Sequence, residues 1–185
     1  MASGKTTLAK ALEKEKGYKR IVTYTTRPIR EGEVDGVDYH FITEEDFQQR
    51  VKSNFFAEWT SYDASFGHCC YGSALDDYIY KEGKSVVVLN PIGVMSVVNR
   101  FDDMGRNLLN KSDRPFVLWL DLPQEVTMLR ALKRGDSVEE VYRRHKTDAI
   151  DFSVLKMGSF ADVRFKNEHP VDELVMLTEM FMNED

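Results

Sequence analysis

Four consecutive residues near the start of the chain, Gly4-Lys5-Thr6-Thr7, have the types and order needed to hold a polyphosphate. They match the second half of G-x-x-x-x-G-K-[ST]. Gly4 lets the main chain approach phosphate oxygens, and the amides of a helix start point at them. Lys5 reaches the outer phosphates, and the Thr6 hydroxyl can serve Mg2+, with Thr7 beside it. Counted back, the first glycine of the pattern falls two positions upstream of Met1. The expectation is that Met1 lies inside the loop, that the strand feeding the loop is absent from the sequence as given, and that a chain carrying that strand is more stable. A second group lies at Arg27 and Arg30, three residues apart, with Tyr39 further along. Two guanidinium forks at that spacing can converge on one dianionic phosphate, and the tyrosine hydroxyl can donate to it. Gly32 and Gly36 permit tight turns between them. A third group is basic: Arg130, Lys133 and Arg134 before Gly135-Asp136, then Arg143 and Arg144. No zinc-ligand spacing and no nucleophile motif accompany these groups, and no role attaches to His68, Cys69 or Cys70.

The elements that must position these residues are those of an α/β protein. The chain has 185 residues, 42% hydrophobic and 30% charged, which suits one domain with a real core. A net charge of −6 argues against a nucleic-acid partner. No apolar run reaches the length of a membrane span. Two adjacent cysteines are no disulfide framework, so a cytoplasmic location is expected. Leu8, Ala11 and Leu12 follow the loop at helical spacing, and Gly17 closes that helix. Residues 21–25 read as a strand, Thr43 with Asp46 as a helix start, and 55–59 and 70–73 as short strands flanking a loop. The apolar runs 85–89 and 115–122 read as strands covered on both faces, as in a parallel sheet. Residues 124–133 read as a helix, Ser137 to Glu140 as a capping box opening another, 163–165 as a strand and 171–182 as a final amphipathic helix carrying Leu174, Leu177, Thr178 and Phe181 on one face.

The run Thr23-Tyr24-Thr25-Thr26-Arg27-Pro28-Ile29-Arg30-Glu31-Gly32-Glu33-Val34-Asp35-Gly36-Val37-Asp38-Tyr39-His40-Phe41 resembles the guanylate kinase signature T-T-R-x-x-R-x-G-E-x-[DN]-G-x-D-Y-x-F. Phe55-Phe56-Ala57-Glu58-Trp59 is similar to the family's F-x-E-W/H strand, and Tyr71-Gly72-Ser73 to its Y-G-[ST]. The resemblance extends from Gly4 to the last helix. It implies that Glu58 accepts hydrogen bonds from guanine N1–H and the 2-amino group. It implies that Tyr71 joins Arg27, Arg30 and Tyr39 on the acceptor phosphate, and that Ser73 and Thr23 lie near the base. Asn90 stands where the family usually has an acidic residue; its carbonyl still accepts, but the charge is lost. Arg134 and Arg144 match best the lid arginines that close over the transferring phosphoryl group, and Asn167 resembles a position near the donor adenine.

What the resemblance implies overall is a three-layer P-loop nucleoside monophosphate kinase fold in one domain, 1–185. Its parallel-sheet core would comprise 1–24, 81–129 and 149–185, its GMP-binding subdomain 25–80 and its helical lid 130–148. The implied reaction is ATP + GMP to ADP + GDP with Mg2+, and the implied partners are those nucleotides, with no nucleic acid, no membrane and no particular oligomeric state. Three other readings stand beside it: a folded relic whose gene has decayed, against which the intact signature argues, and two more. One is a non-catalytic guanylate-kinase-like binding module, against which Lys5, Thr6, Arg134 and Arg144 argue. The other is a related P-loop kinase acting on a sugar phosphate, against which Glu58 and the Gly32-Glu33 to Tyr39 run argue.

Overall fold

A computed structural model describes residues 2–64, 67–79, 83–105, 115–157 and 161–183. Its elements in chain order are α1 (Lys5–Lys16), β1 (Lys19–Arg20), β2 (Tyr24–Thr25), β3 (His40–Phe41), α2 (Glu44–Lys52), β4 (Phe56–Ala64), β5 (Gly67–Ala74), α3 (Asp76–Ile79), β6 (Ser85–Val86), α4 (Pro91–Gly105), β7 (Leu118–Asp121), α5 (Gln124–Lys133), α6 (Val138–Met157), β8 (Val163–Lys166) and α7 (Val171–Met182). They form two compact units: Met1–Gly17 with Pro115–Asp185, and Tyr18–Arg114. Strands and helices mix in both, and parallel pairs occur in both, as the α/β reading expects.

In the first unit, α1 starts directly after Gly4, whose φ of 90° is one that L side chains rarely adopt. Gly17, at φ 69°, ends the helix by turning its N–H back to the Leu12 carbonyl. Helix α1, with Leu8, Ala9 and Leu12 buried, packs against α7, whose buried residues are Leu174, Val175 and Thr178. Strands β7 and β8 pair in parallel from Leu118↔Val163 to Asp121↔Lys166. The strand expected over 115–122 is thus shorter, because only 118–121 has a partner strand. Ser137 Oγ accepts from the Glu140 amide at 3.2 Å, so the first half of the capping box is made. The second half differs from expectation: the Glu140 carboxylate binds Arg143 and Arg144, as charge-assisted bonds within one helical turn compete well.

The second unit is built on the sheet β3-β2-β5-β4, in which β2–β3 is parallel and the other pairs antiparallel. Residues 21–25 do not form one strand. Lys19–Arg20 pairs with β6, while Tyr24–Thr25 pairs with β3 and β5, so the chain changes sheets between them. The two short strands expected at 55–59 and 70–73 are longer and face each other from Phe56↔Ala74 to Ala64↔Gly67, with a bulge between Phe56 and Glu58. Only Ser85–Val86 of the expected 85–89 strand is paired. Helix α4 was not anticipated, although Asn90-Pro91 is a helix-opening pair: Asn90 Oδ1 accepts from the Gly93 amide at 2.7 Å. Helix α2 opens as expected, with Thr43 Oγ1 accepting from the Asp46 amide at 3.1 Å. Glu44, Glu45 and Asp46 in its first turn and Arg50 and Lys52 in its last complement the helix dipole. The core of this unit is Phe47, Phe56 and Cys70, with Tyr24, Ile42, Val51 and Phe55 packed on it.

Candidate active site

The residues expected at the donor end lie together in the first unit. Gly4 permits a close approach: a side chain there would collide with the Asn167 amide nitrogen. Asn167 is buried, and its amide donates to the Ser3 carbonyl at 2.5 Å, which pins the loop to the end of β8. Its own N–H donates to the Asp121 carbonyl at 2.9 Å. The side chain expected near an adenine thus also holds the loop that precedes α1. Lys5 Nζ donates to Ser3 Oγ at 2.9 Å. Burial holds the Lys5 ammonium below the usual lysine range; Asp148 opposes this, and Arg134 and Arg144 reinforce it. The basic cluster is thus close enough to act on Lys5, which is what residues sharing one anionic ligand require. Thr6 and Thr7 are exposed on the first turn of α1.

The two arginines expected of a lid are both paired. Arg134, at the end of α5, meets Asp136. Arg144 Nε donates to Glu140 at 2.6 Å, and Arg143 grips the same carboxylate through two bonds of 2.9 Å. These bonds hold the Glu140 carboxyl down to about 2, against the opposing effect of burial. Glu140 was read from the sequence only as a capping-box residue, and Asp136 and Asp148 were given no role. The signal for Glu140 was present, since a carboxylate three and four residues before two arginines lies on their helix face.

The residues expected at the acceptor end lie together in the second unit. Arg27 is 4% exposed and is held by Glu33 through two bonds of 2.7 and 2.5 Å, while its Nη1 also donates to the Pro28 carbonyl at 2.8 Å. Burial is the largest single effect and works against its charge, but the Glu33 bond together with the charge interactions of Tyr71, Glu33 and Tyr39 outweighs it and raises the Arg27 pKa. The Arg27 guanidinium lies 4.8 Å from the Tyr39 ring centroid and 5.3 Å from that of Phe41. Tyr39 meets Tyr71 edge to face at 6.0 Å. Arg30 is exposed, and its main-chain N–H donates to Glu33 at 2.8 Å. Glu33 is the organiser that sequence reasoning passed over, although it stands in the quoted signature as the residue after Gly32.

Strand register places the remaining acceptor residues. Glu58 faces Ser73 across β4–β5, so both side chains leave one face of the hairpin. Ser73 Oγ donates to Glu58 Oε1 at 2.7 Å and accepts from the Tyr78 hydroxyl at 2.9 Å. Glu58 is 6% exposed, and burial pushes its carboxyl up to about 7 despite the Ser73 bonds. Its other oxygen lies against the first turn of α4: a Cβ on Gly93 would come within 2.9 Å of Oε2 and 3.2 Å of Asn90 Oδ1. Asn90 is therefore beside Glu58, but its carbonyl is engaged as the cap of α4. Thr23 lies just before β2, its carbonyl accepting from the His40 amide at 2.9 Å. The arrangement offers one buried carboxylate able to accept two donors, and one buried, fixed guanidinium flanked by two phenols.

Comparison with known proteins identifies the family. The guanylate kinase family model matches residues 1–149. A guanylate kinase of Caldanaerobacter subterraneus is 34% identical over 179 residues, which cover 93% of this chain and 79% of that protein. A guanylate kinase of Chlamydia caviae is 33% identical over 149 residues, 78% of this chain and 65% of that protein, and one of Bdellovibrio bacteriovorus is 37% identical over 84 residues, 45% and 44%. The chain thus spans about two thirds or less of the length of the latter two relatives. A crystal structure of guanylate kinase from Anaplasma phagocytophilum shares the fold at a TM-score of 0.66, with 22% identity, 97% of this chain covered and 80% of that one. Among the described residues no helix is long and apolar enough to cross a membrane. With the family model matched over residues 1–149 and a relative 34% identical over 93% of this chain, the chain belongs to the guanylate kinase family.

Proposed function

We propose that this chain transfers the terminal phosphoryl group of ATP to GMP, giving ADP and GDP, with Mg2+ and in the cytoplasm. The observation that carries the choice of acceptor is Glu58, a buried carboxylate that meets Ser73 on one side and the first turn of α4 on the other. Guanine offers two adjacent donors, N1–H and the 2-amino group, and a carboxylate accepts both. Adenine lacks both donors and would leave a buried anion unpaired, which is strongly disfavoured. The acceptor phosphate is assigned to Arg27, Arg30, Tyr39 and Tyr71. Glu33 orients Arg27 before any ligand arrives, so less side-chain freedom is lost on binding.

At the donor end, the loop at Gly4, Lys5, Thr6 and Thr7 takes the polyphosphate, and Asn167 holds that loop in shape. A bound anion would favour the charged form of Lys5, against which burial works. Thr6 suits Mg2+ because it supplies one exposed hydroxyl, and this ion keeps most of its waters and binds mainly through substrate phosphates. When bound, it neutralises charge on the phosphates of ATP. Arg134 and Arg144 are assigned to the equatorial oxygens in the transition state, with Asp136 and Glu140 as their resting partners. No side-chain base is required, since the GMP phosphate is itself the nucleophile.

The test is ADP release from ATP and Mg2+ in the presence of GMP or AMP, with the wild type and Glu58→Gln. The variant should lose about 10–100-fold in kcat/KM for GMP, the cost of one or two hydrogen bonds to a charged group, and little for AMP. An unchanged preference for GMP over AMP would remove Glu58 from base recognition. Absence of ADP release with GMP, under conditions where GMP is bound, would remove the transfer reaction itself.

A further inference from the structure

Among the described residues outside the proposed nucleotide site, one cluster of side chains has the composition of a metal centre. Glu44 in the first turn of α2, and His68 and Cys70 on β5, bring a carboxylate oxygen, an imidazole nitrogen and a sulfur within 4.8 Å of one another. Cys70 Sγ is 3.6 Å from both oxygens of Glu44 and 3.9 Å from His68 Nε2. Bonds of about 2.0–2.3 Å to a tetrahedral zinc ion separate neighbouring donors by about 3.3–3.8 Å. The two edges that end on sulfur are therefore already close to those of a coordination tetrahedron, and the carboxylate and imidazole, within 4.8 Å of each other, close the third by side-chain rotation. The position of His68 in the alternation of β5 explains the pairing: His68 and Cys70 are two apart on one strand and share a face, while Cys69 points to the other.

The surroundings fit an ion as well. The second ring nitrogen of His68, Nδ1, is 2.9 Å from Asp63 Oδ1 across the hairpin. A carboxylate behind an imidazole fixes its tautomer so that Nε2 is the free ligand, the arrangement metal-bound histidines adopt. Glu44 and His68 are exposed and Cys70 is buried, so a cation has an entry path on one side and a dry sulfur on the other. A thiolate, a carboxylate and a neutral imidazole balance a divalent charge, and sulfur with nitrogen selects zinc-like ions over Mg2+ or Ca2+. We propose that Glu44, His68 and Cys70 bind one zinc-class divalent ion, with Asp63 orienting His68 and water in the fourth position. Such an ion would clamp the start of α2 to β5. That strand segment also takes bonds from the Thr25 hydroxyl and the Thr26 amide at the Cys70 carbonyl, 3.0 and 3.1 Å. On the nucleotide reading given above, the clamp stiffens the backbone that leads into Arg27 and Tyr71. The binding itself is independent of that reading.

The experiment titrates the purified full chain, free of nucleotide, with Co2+ and then Zn2+. Expected are one ion per chain, a sulfur-to-cobalt absorption band in the near ultraviolet, displacement of that band by zinc, and a rise in the melting temperature. The band should vanish in Cys70→Ser and survive in Cys69→Ser. Zinc affinity should fall at least tenfold in His68→Ala and Glu44→Gln, and about tenfold in Asp63→Asn. His68, Glu44 and Asp63 are surface residues, so these variants keep the fold and carry the test if Cys70→Ser does not fold. No stoichiometric binding, a band that persists without Cys70, or unchanged affinity in His68→Ala would each overturn the proposal. None of these readouts involves phosphoryl transfer, so failure of the kinase reading would leave them untouched.

Discussion

Glu58 illustrates how burial and hydrogen bonding compete at one atom. Burial raises its carboxyl to about 7, where half the molecules carry the anion that the proposed guanine contact requires. Lowering the pH removes that anion, so the KM for GMP should rise about fivefold from pH 7 to pH 6 in excess of any change in Glu58→Gln, which has no carboxyl to titrate. Titration of the substrate is common to both enzymes, so the difference isolates Glu58. The same shift has an opposite consequence for stability. Between 4.5 and about 7 the folded chain holds a proton that the unfolded chain has lost, so this group's contribution falls as pH rises through that window. Glu33 acts on Arg27 in the other sense, by pairing. Glu33→Gln should cost about 1–3 kcal/mol in urea unfolding and raise the KM for GMP more than it lowers kcat, because the guanidinium loses its orienting partner.

At the scale of the element, α6 depends on Glu140 twice, through the Ser137 cap and through its two arginines. Its folded carboxyl titrates near 2 rather than 4.5, so the stabilisation is complete above 4.5 and is lost as pH falls toward 2. Glu140→Gln should cost about 1–3 kcal/mol at pH 7, discounted for the partly exposed arginines, and this difference should close in acid unfolding near pH 2. Helix α2 presents a simpler case. Removing the Thr43 hydroxyl by Thr43→Ala frees the Asp46 amide and should cost about 1 kcal/mol, read from thermal denaturation.

At the scale of the molecule, each compact unit carries its own buried groups. Phe47 is fully buried against Phe56, with ring centroids 4.6 Å apart, at the centre of the unit formed by Tyr18–Arg114. Phe47→Ala leaves a cavity there and should cost about 3–5 kcal/mol in denaturant unfolding, a large part of the stability of a domain this size. The net charge of −6 predicts no measurable retention on duplex DNA at physiological salt, which a filter-binding assay checks.

The acceptor signature from Thr23 to Phe41, the glycine-lysine-threonine loop and the helices at 124–133 and 171–182 were legible in the sequence, because turns, caps and helical periods are written in neighbouring residues. Strand extents were not. Of residues 21–25 only Tyr24–Thr25 is strand, Lys19–Arg20 just before them joins a different sheet, and the hairpin runs on to Ala64 and Gly67, because a strand ends where its partner ends, and partners are distant in sequence. Helix α4 had its opening pair in view at Asn90-Pro91 but was missed, and the capping role of Asn90 emerged only with it. The sequence named Arg27, Glu58 and Arg144; tertiary structure decided that Glu33, Ser73 and Glu140 hold them, since a counter-ion is chosen by distance in space. It also decided the cluster at Glu44, His68 and Cys70, whose members come from a helix and a strand 24 to 26 residues apart and share no sequence spacing that a metal motif would show.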